Sequence, residues 1–234
     1  MSALSQSALV GRVLPLMRFR LRPVLAGRHL LAPLVALAAV QLVGLSGGGA
    51  PAALCVTTAI LFALPLLSWA ARQVLDAEPD EQVRISTLAV GGSAFEVLAG
   101  LLASYAVVAP LAVLCAAASL LHVNGEGVPT RDALVALALA LAAALAAVAI
   151  GSLASRSIAG TGGGSVIVLV VAPVLVVVVG LSRNPAVAAL VPRLDDAVRA
   201  AYEGRLAAVA PVVVAQVVLW SVVVLALRLA LRRD

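Results

Sequence analysis

The chain contains no lysine, and all sixteen of its basic residues are arginines. A phosphate-binding P-loop requires Gly-Lys followed by Ser or Thr, so an ordinary nucleotide-binding motif of that type is excluded. The glycine-rich run at residues 160–164 has no lysine after it and is predicted to be a turn. We therefore expect no cofactor to be bound directly; if the protein depends on ATP and Mg²⁺, a partner subunit binds them.

Charged and reactive side chains are also scarce. Charged residues make up 12% of the 234 residues, against 63% hydrophobic residues. The two cysteines, Cys55 and Cys115, fall inside apolar runs and are predicted to be buried free thiols without metal-ligand spacing. Both histidines, His29 and His122, lie at the ends of such runs, away from Ser165. No nucleophile has a base in reach, so we predict no catalytic residue, no metal site and no enzyme activity.

Apolar runs of about twenty residues are abundant, and these are typical of membrane-spanning helices. The predicted spans cover residues 30–45, 51–71, 95–121, 133–153, 166–181 and 206–227. The predicted fold class is an all-α polytopic membrane protein with six transmembrane helices, in which residues 29–234 form one membrane domain. The net charge of +5 comes from arginines near the ends of these runs, so it is not a sign of nucleic-acid binding.

Residues 1–28 carry five arginines and no acidic residue, interleaved with leucine, valine, methionine and phenylalanine. This pattern predicts an amphipathic helix in the cytoplasmic membrane interface, with its arginines toward anionic lipids. A disordered basic tail is the alternative. Pro23 and Gly27 are expected to break the helix before the membrane is entered. With the N-terminus inside, eleven of the sixteen arginines fall on the cytoplasmic side, so the positive-inside rule favours both termini inside.

The densest charge in the chain lies at residues 72–94, between the second and third predicted spans. A central Asp or Arg costs about 2.5–3.5 kcal/mol in the membrane, so this segment is predicted to be a loop in water. We interpret it as a cytoplasmic docking surface for a partner protein; a solvated loop that contacts nothing is the alternative. The candidate docking residues are Asp76, Glu78, Asp80, Glu81, Arg84 and Thr87.

Two further segments carry predictions. Glu96 is the only ionisable residue inside the predicted spans and lies at the cytoplasmic start of the third. It is predicted to cap the helix at the interface or, alternatively, to stand beside the entrance of a transport pathway. Ion-coupled transport is not expected without ionisable groups near mid-membrane. In the outer segment 182–206, Leu194, Val198 and Ala201 fall at helical spacing, which predicts a short amphipathic helix; a solvated loop is the alternative.

The order of these parts resembles the membrane subunit of type-2 ABC exporters: an interfacial helix, two spans, a charged cytoplasmic loop and four more spans. The resemblance covers essentially the whole chain. Its most specific part is the loop, where such proteins carry an acidic cluster, then Gly-Thr-Leu-Glu, then Pro or Ser. Here Asp80-Glu81 precedes Ser86-Thr87-Leu88-Ala89 and Ser93, with Ser in place of Gly and Ala in place of Glu.

The resemblance implies that the loop is a coupling helix seated on a separate cytoplasmic ABC ATPase subunit. It further implies a second permease copy or homologue, membrane lipids as partners, and a location in the bacterial plasma (inner) membrane. The implied function is export of a hydrophobic or amphiphilic substrate. The haem-exporter permease of cytochrome c maturation is a similar alternative, on the strength of Arg156, the glycines at 162–164 and Pro173. A non-transporting membrane scaffold or assembly factor is the alternative of a different class.

Overall fold

The computed structural model describes residues 6–45, 50–123, 129–159, 162–180 and 191–231. Every regular element within these ranges is a helix, which confirms the all-α fold class. The helices are α1 (Gln6–Ala26), α2 (Leu31–Leu45), α3 (Ala52–Leu75), α4 (Asp80–Val90), α5 (Ser93–Val123), α6 (Thr130–Leu153), α7 (Arg156–Ala159), α8 (Gly162–Gly180), α9 (Leu194–Tyr202) and α10 (Leu206–Leu231).

Four helices are long and apolar enough to cross a membrane: α3, α5, α6 taken with α7, and α10. Parts of α1 and α2 add a fifth only if they form one bent span, because their axes differ by 71°. Alone, the 15 residues of α2 extend about 22 Å, short of a hydrocarbon core of about 30 Å. Within α8, the stretch Gly163–Val176 is a shorter apolar helix of 10–17 residues. The chain is therefore a membrane protein with four or five candidate spans, and the six-span topology stays a prediction.

Small residues allow the central helices to pack closely. Most of the buried residues of α6 are alanines, and α6 contacts α3, α5 and α10. A close approach of α6 to α3 occurs at Gly151, where a Cβ atom would lie 2.5 Å from the backbone oxygen of Ser68. Since lipid supplies no hydrophobic driving force between helices, close packing of this kind is what holds such a bundle together.

The bundle has two ends that differ in polarity. At one end, here called the α4 end, side chains from α1, α3, α4, α5, α7 and α10 line a common polar cavity. At the opposite end, here called the α9 end, the first turns of α3, α6 and α10 meet the last turn of α5 around a smaller cavity. Successive long helices are therefore antiparallel, and the charged segment after α3 lies entirely at the α4 end.

The N-terminal segment packs against the bundle through one face of α1. Val13 and Leu16 contact Ala99, Phe95 and Leu98 of α5. The helix passes through Pro15 and Pro23 and ends before Gly27, whose amide donates to the Pro23 carbonyl at 2.9 Å. The predicted break therefore falls at Gly27 and the turn that follows, and not at Pro23. Whether α1 lies in the membrane interface stays a prediction.

The predicted outer segment contains one helix, α9, among its described residues. Leu194, Ala197 and Ala201 are buried on the side that packs against α3, α8 and α10. Val198, which was predicted to belong to the apolar face, is only partly buried. Residues 182–190 of this segment lie outside the described part of the chain. The helix is thus packed into the α9 end of the bundle rather than loosely attached to it.

Candidate functional site

Three buried charged side chains form the centre of the α4 end. Arg20 donates to Glu78 Oε2 from Nε at 2.8 Å and from Nη2 at 2.5 Å. The same Nη2 donates to Glu96 Oε1 at 2.5 Å, and Nη1 donates to the Glu96 backbone oxygen at 3.3 Å. All three side chains are no more than 5% exposed. This group, here called the Arg20 cluster, joins α1 to the segment before α4 and to the first turn of α5.

Local sequence explains why the Arg20 cluster forms. Glu96 lies in the first turn of α5, where the helix dipole favours a carboxylate. Gly100 follows one turn later, and the guanidinium of Arg20 occupies the space that a Cβ atom would fill there. Ser86 of α4 adds a 3.4 Å bond to Glu78 Oε1. Ser86 therefore connects α4 to the Arg20 cluster.

A second set of bonds fixes the C-terminal end of α3. Asp76 accepts from Arg72 Nε at 3.1 Å, one turn earlier in the same helix. Its other carboxylate oxygen accepts from the backbone amide of Arg156 at 3.0 Å. The Arg156 side chain returns to the Asp76 backbone oxygen at 2.6 Å. Asp76 thus connects α3 to α7.

Helix α4 presents an exposed face that mixes apolar and charged side chains. Ile85 and Leu88 are 68% and 83% exposed, and Glu81 and Arg84 are exposed beside them. The helix starts after Pro79 and ends at Gly91, whose φ of 87° is the left-handed conformation that favours glycine. α4 is therefore a short helix that connects α3 to α5 and has one exposed face.

The predicted docking residues separate into two groups. Glu81 and Arg84 are exposed, whereas Glu78 is buried in the Arg20 cluster and Asp76 is largely buried against Arg72 and Arg156. Thr87 is partly buried and donates to the Val83 backbone oxygen of its own helix at 2.8 Å. The side chain of Asp80 lies outside the described part of the structure. Ile85 and Leu88, which were not among the predicted docking residues, are the large apolar side chains that α4 exposes.

The position of Glu96 was predicted from the sequence, whereas the contact that Arg20 makes with it was not. Glu96 lies at the start of α5 as predicted, in contact with Arg20; a role beside a transport pathway stays a prediction. Arg20 was not distinguished from the other N-terminal arginines. The available signal was spacing, because Arg20 is in helical phase with Val13, Leu16 and Val24, all of which are buried.

A cavity of about 290 Å³ lies among these groups. Its walls include the side chains of the Arg20 cluster together with Asp76, Arg84, Arg156 and Arg228. Arg228, near the end of α10, is 3% exposed and donates to the Ser152 backbone oxygen at 2.6 Å. Among the described residues, no group of three histidine, cysteine or carboxylate side chains could hold a metal ion.

The α9 end contains a different titratable feature. Asp195 is only 9% exposed, and its neighbours Arg193 and Asp196 form a bidentate ion pair at the start of α9. Burial raises the pKa of the Asp195 carboxyl above its usual range, and the nearby Asp196 carboxylate raises it further. Arg193 and Arg199 oppose this rise in pKa without cancelling it.

We expect Asp195→Asn to stabilise the protein at neutral pH. A carboxyl whose folded-state pKa is raised binds a proton more readily in the folded state than in the unfolded state. Its contribution to stability therefore falls as pH rises from about 4 through the raised pKa. The asparagine variant should lose this pH dependence, which thermal unfolding in detergent between pH 4 and 8 would measure. Asp132→Asn, which removes an exposed carboxylate at the same end, is the control; equal pH profiles for all three proteins would contradict the prediction.

Comparison with known proteins gives no relative from which a role could be transferred: no protein-family model matches the chain, and no curated protein or solved structure shows significant similarity to it.

Proposed function

We propose that this chain is the permease subunit of an ATP-driven exporter in a bacterial plasma membrane, energised by a separate cytoplasmic ATPase that docks on α4. The observation that carries the proposal is the placement of α4. This short helix connects two span-length helices at the polar end of the bundle and leaves Ile85 and Leu88 more than 60% exposed. A mixed apolar and charged patch on a rigid helix suits a protein partner, since apolar anchors surrounded by polar groups are typical of protein interfaces.

The anchoring of α4 supports a mechanical role. Arg20 and Ser86 hold the α3–α4 junction against α1, and Glu96 extends the same contacts to α5. A partner that moves α4 would therefore move α3 and α5 with it, which is how a small change at one site becomes a rigid-body change in a bundle. The substrate would be hydrophobic or amphiphilic, because the described spans contain few ionisable side chains.

Topology and assembly complete the proposal. Six spans with both termini inside would place the α4 end in the cytoplasm, in agreement with the arginine asymmetry of the sequence. A second permease copy or a homologue would complete the transporter, with the substrate pathway between the two. Export direction follows from the resemblance to type-2 ABC exporters.

The proposal is tested by substituting the exposed face of α4 and measuring how much ATPase still co-purifies with the protein. We expect Ile85→Ser combined with Leu88→Ser to reduce the amount of soluble ATPase that co-purifies in mild detergent by roughly tenfold or more, as expected for the loss of two interface anchors. Membrane insertion should be unchanged, because neither side chain packs in the bundle. ATP hydrolysis by the eluate and mass spectrometry would provide the measurement.

Tyr202→Ser is the matched control, since it removes an 80% exposed aromatic side chain at the opposite end of the bundle. Equal recovery of the ATPase with the α4 variant and the control would remove α4 from its proposed role. If no ATPase co-purifies with the wild-type protein under conditions that preserve a known transporter, a non-transporting scaffold becomes the better interpretation.

A further inference from the structure

Helix α10 is the least buried of the four span-length helices. In its most apolar stretch 22% of the residues are buried, against 39–61% in the other three. One face of α10, with the buried residues Val213, Val217 and Ser221, is turned toward the bundle, where the helix contacts α6. The opposite face of α10 is therefore open to lipid or to another protein.

The open face of α10 has the spacing of a coiled-coil seam. Six exposed residues, here called the α10 seam, recur at alternating intervals of four and three: Val212, Gln216, Leu219, Val223, Ala226 and Ala230. This is the a/d pattern by which two helices pack along their length at a small left-handed crossing angle, as membrane helices commonly do. In this register Gln216 takes an a position, and the other five residues of the seam are apolar.

Gln216 places a primary amide near the middle of the seam. It lies ten residues after Leu206 and fifteen before Leu231, which is about 15 Å and 22 Å from the two ends of α10. In a hydrocarbon core of about 30 Å, this position is near the centre. The side chain of Gln216 is exposed and forms no hydrogen bond with any residue that the structure describes. Because an amide without a hydrogen bond is unfavourable in hydrocarbon, a partner for it is expected.

A second copy of the chain has the chemistry of that partner. Two copies inserted in the same direction are related by a two-fold axis along the membrane normal, so that their α10 helices are parallel and each seam residue meets its own copy. A primary amide both donates and accepts hydrogen bonds, so two glutamines can bond to each other reciprocally. A single polar residue at an a position of an otherwise apolar seam is also a known means of fixing the register and number of paired helices.

We infer that two copies of this chain associate through the α10 seam, with their Gln216 amides hydrogen-bonded to each other. The inference assigns a surface to the second copy that the proposed function includes, and it rests on that function in this respect alone. The contact involves no residue of α4 and no ATPase, so that pairing of α10 and docking on α4 can be tested separately.

Disulfide crosslinking in native membranes tests the seam. The background is the full-length chain with Cys55 and Cys115 replaced by alanine. We expect Leu219→Cys, which lies in the seam, to form a crosslinked dimer on mild oxidation. Val218→Cys is the matched control, because Val218 is 37% exposed at nearly the same depth of the same helix but lies outside the seam. Equal crosslinking at the two positions, or none at position 219, would overturn the inference.

Energy transfer between copies tests the amide and leaves both cysteines in place. Donor- and acceptor-tagged full-length proteins are reconstituted together in phosphatidylcholine liposomes and diluted with lipid. We expect Gln216→Leu, which removes the amide at similar volume, to weaken association by roughly tenfold, as expected for two amide hydrogen bonds lost in lipid. Gln216→Asn keeps an amide and should associate more strongly than the leucine variant. If Gln216→Leu associates as the wild type does, the amides do not pair and the inference is wrong.

The outcomes distinguish failure of this inference from failure of the proposed function. Crosslinking confined to the seam, weakened association of Gln216→Leu and no co-purifying ATPase would support the α10 contact and contradict the permease interpretation. A co-purifying ATPase with no crosslink at position 219 would contradict the α10 contact and leave the permease interpretation in place.

Discussion

Replacement of Arg20 by methionine is expected to lower the free energy of unfolding by about 3–5 kcal/mol, the cost of leaving buried charges without their partner. The variant would retain a side chain of similar length but would leave Glu78 and Glu96 facing each other across a site that is no more than 5% exposed. For a chain of this size, the thermal midpoint in detergent should fall on the order of 10 °C. A thermal shift assay on the purified protein would measure it.

Two further variants distinguish a loss of stability caused by unbalanced charge from one caused by lost packing. The triple variant Arg20→Met, Glu78→Gln, Glu96→Gln should recover most of the lost stability, because replacing a whole buried ion cluster by neutral groups is often nearly neutral. Arg131→Met, which changes an exposed arginine at the α9 end, should have little effect. If Arg20→Met is no less stable than Arg131→Met, the buried cluster does not hold α1 to the bundle.

The sequence identified the helical class and the location of the charged segment, because both follow from local composition. A long apolar run must be a helix in lipid, and a group of acidic and basic residues must leave it. The four longest predicted spans correspond to α3, α5, α6 and α10. A break between α1 and α2 was predicted from Pro23 and Gly27, but its angle of 71° could not be predicted, since it depends on how α1 packs on α5.

Which residues of the charged segment are buried and which are exposed could not be predicted either. Glu78 and Glu81 are three residues apart, and nothing in the sequence around them indicates that one is buried and the other exposed. Their difference arises because Arg20, 58 residues before Glu78, reaches it from a separate helix. Such long-range pairing depends on the arrangement of the helices, which a local pattern does not contain. Ile85 and Leu88 were missed for a different reason, because the docking residues were chosen among charged side chains and Thr87, and exposed apolar side chains of α4 were not considered.

The second large effect is expected at Gly151, where the packing of α6 on α3 leaves no space for a side chain. The Cβ atom of Gly151→Ala would lie 2.5 Å from the Ser68 backbone oxygen and 2.8 Å from the Ala71 Cβ atom. Neither obstacle is the end of a flexible side chain, so the helices must separate. Overpacking of this kind costs about 1–3 kcal/mol, and thermal unfolding in detergent would measure the loss.

Gly44→Ala makes the same chemical change on α2, where nothing lies within 4 Å of the added methyl group. Alanine favours a helix over glycine by roughly 0.5–1 kcal/mol, so this control should be neutral or slightly stabilising, opposite in sign to Gly151→Ala.

The Gly151→Ala substitution should also affect the polar end of the bundle. Gly151 lies little more than one turn before Arg156, which is hydrogen-bonded to Asp76. A separation of α6 from α3 would therefore loosen that contact. Equal stability of the two variants would mean that α3 and α6 are not in close contact at Gly151.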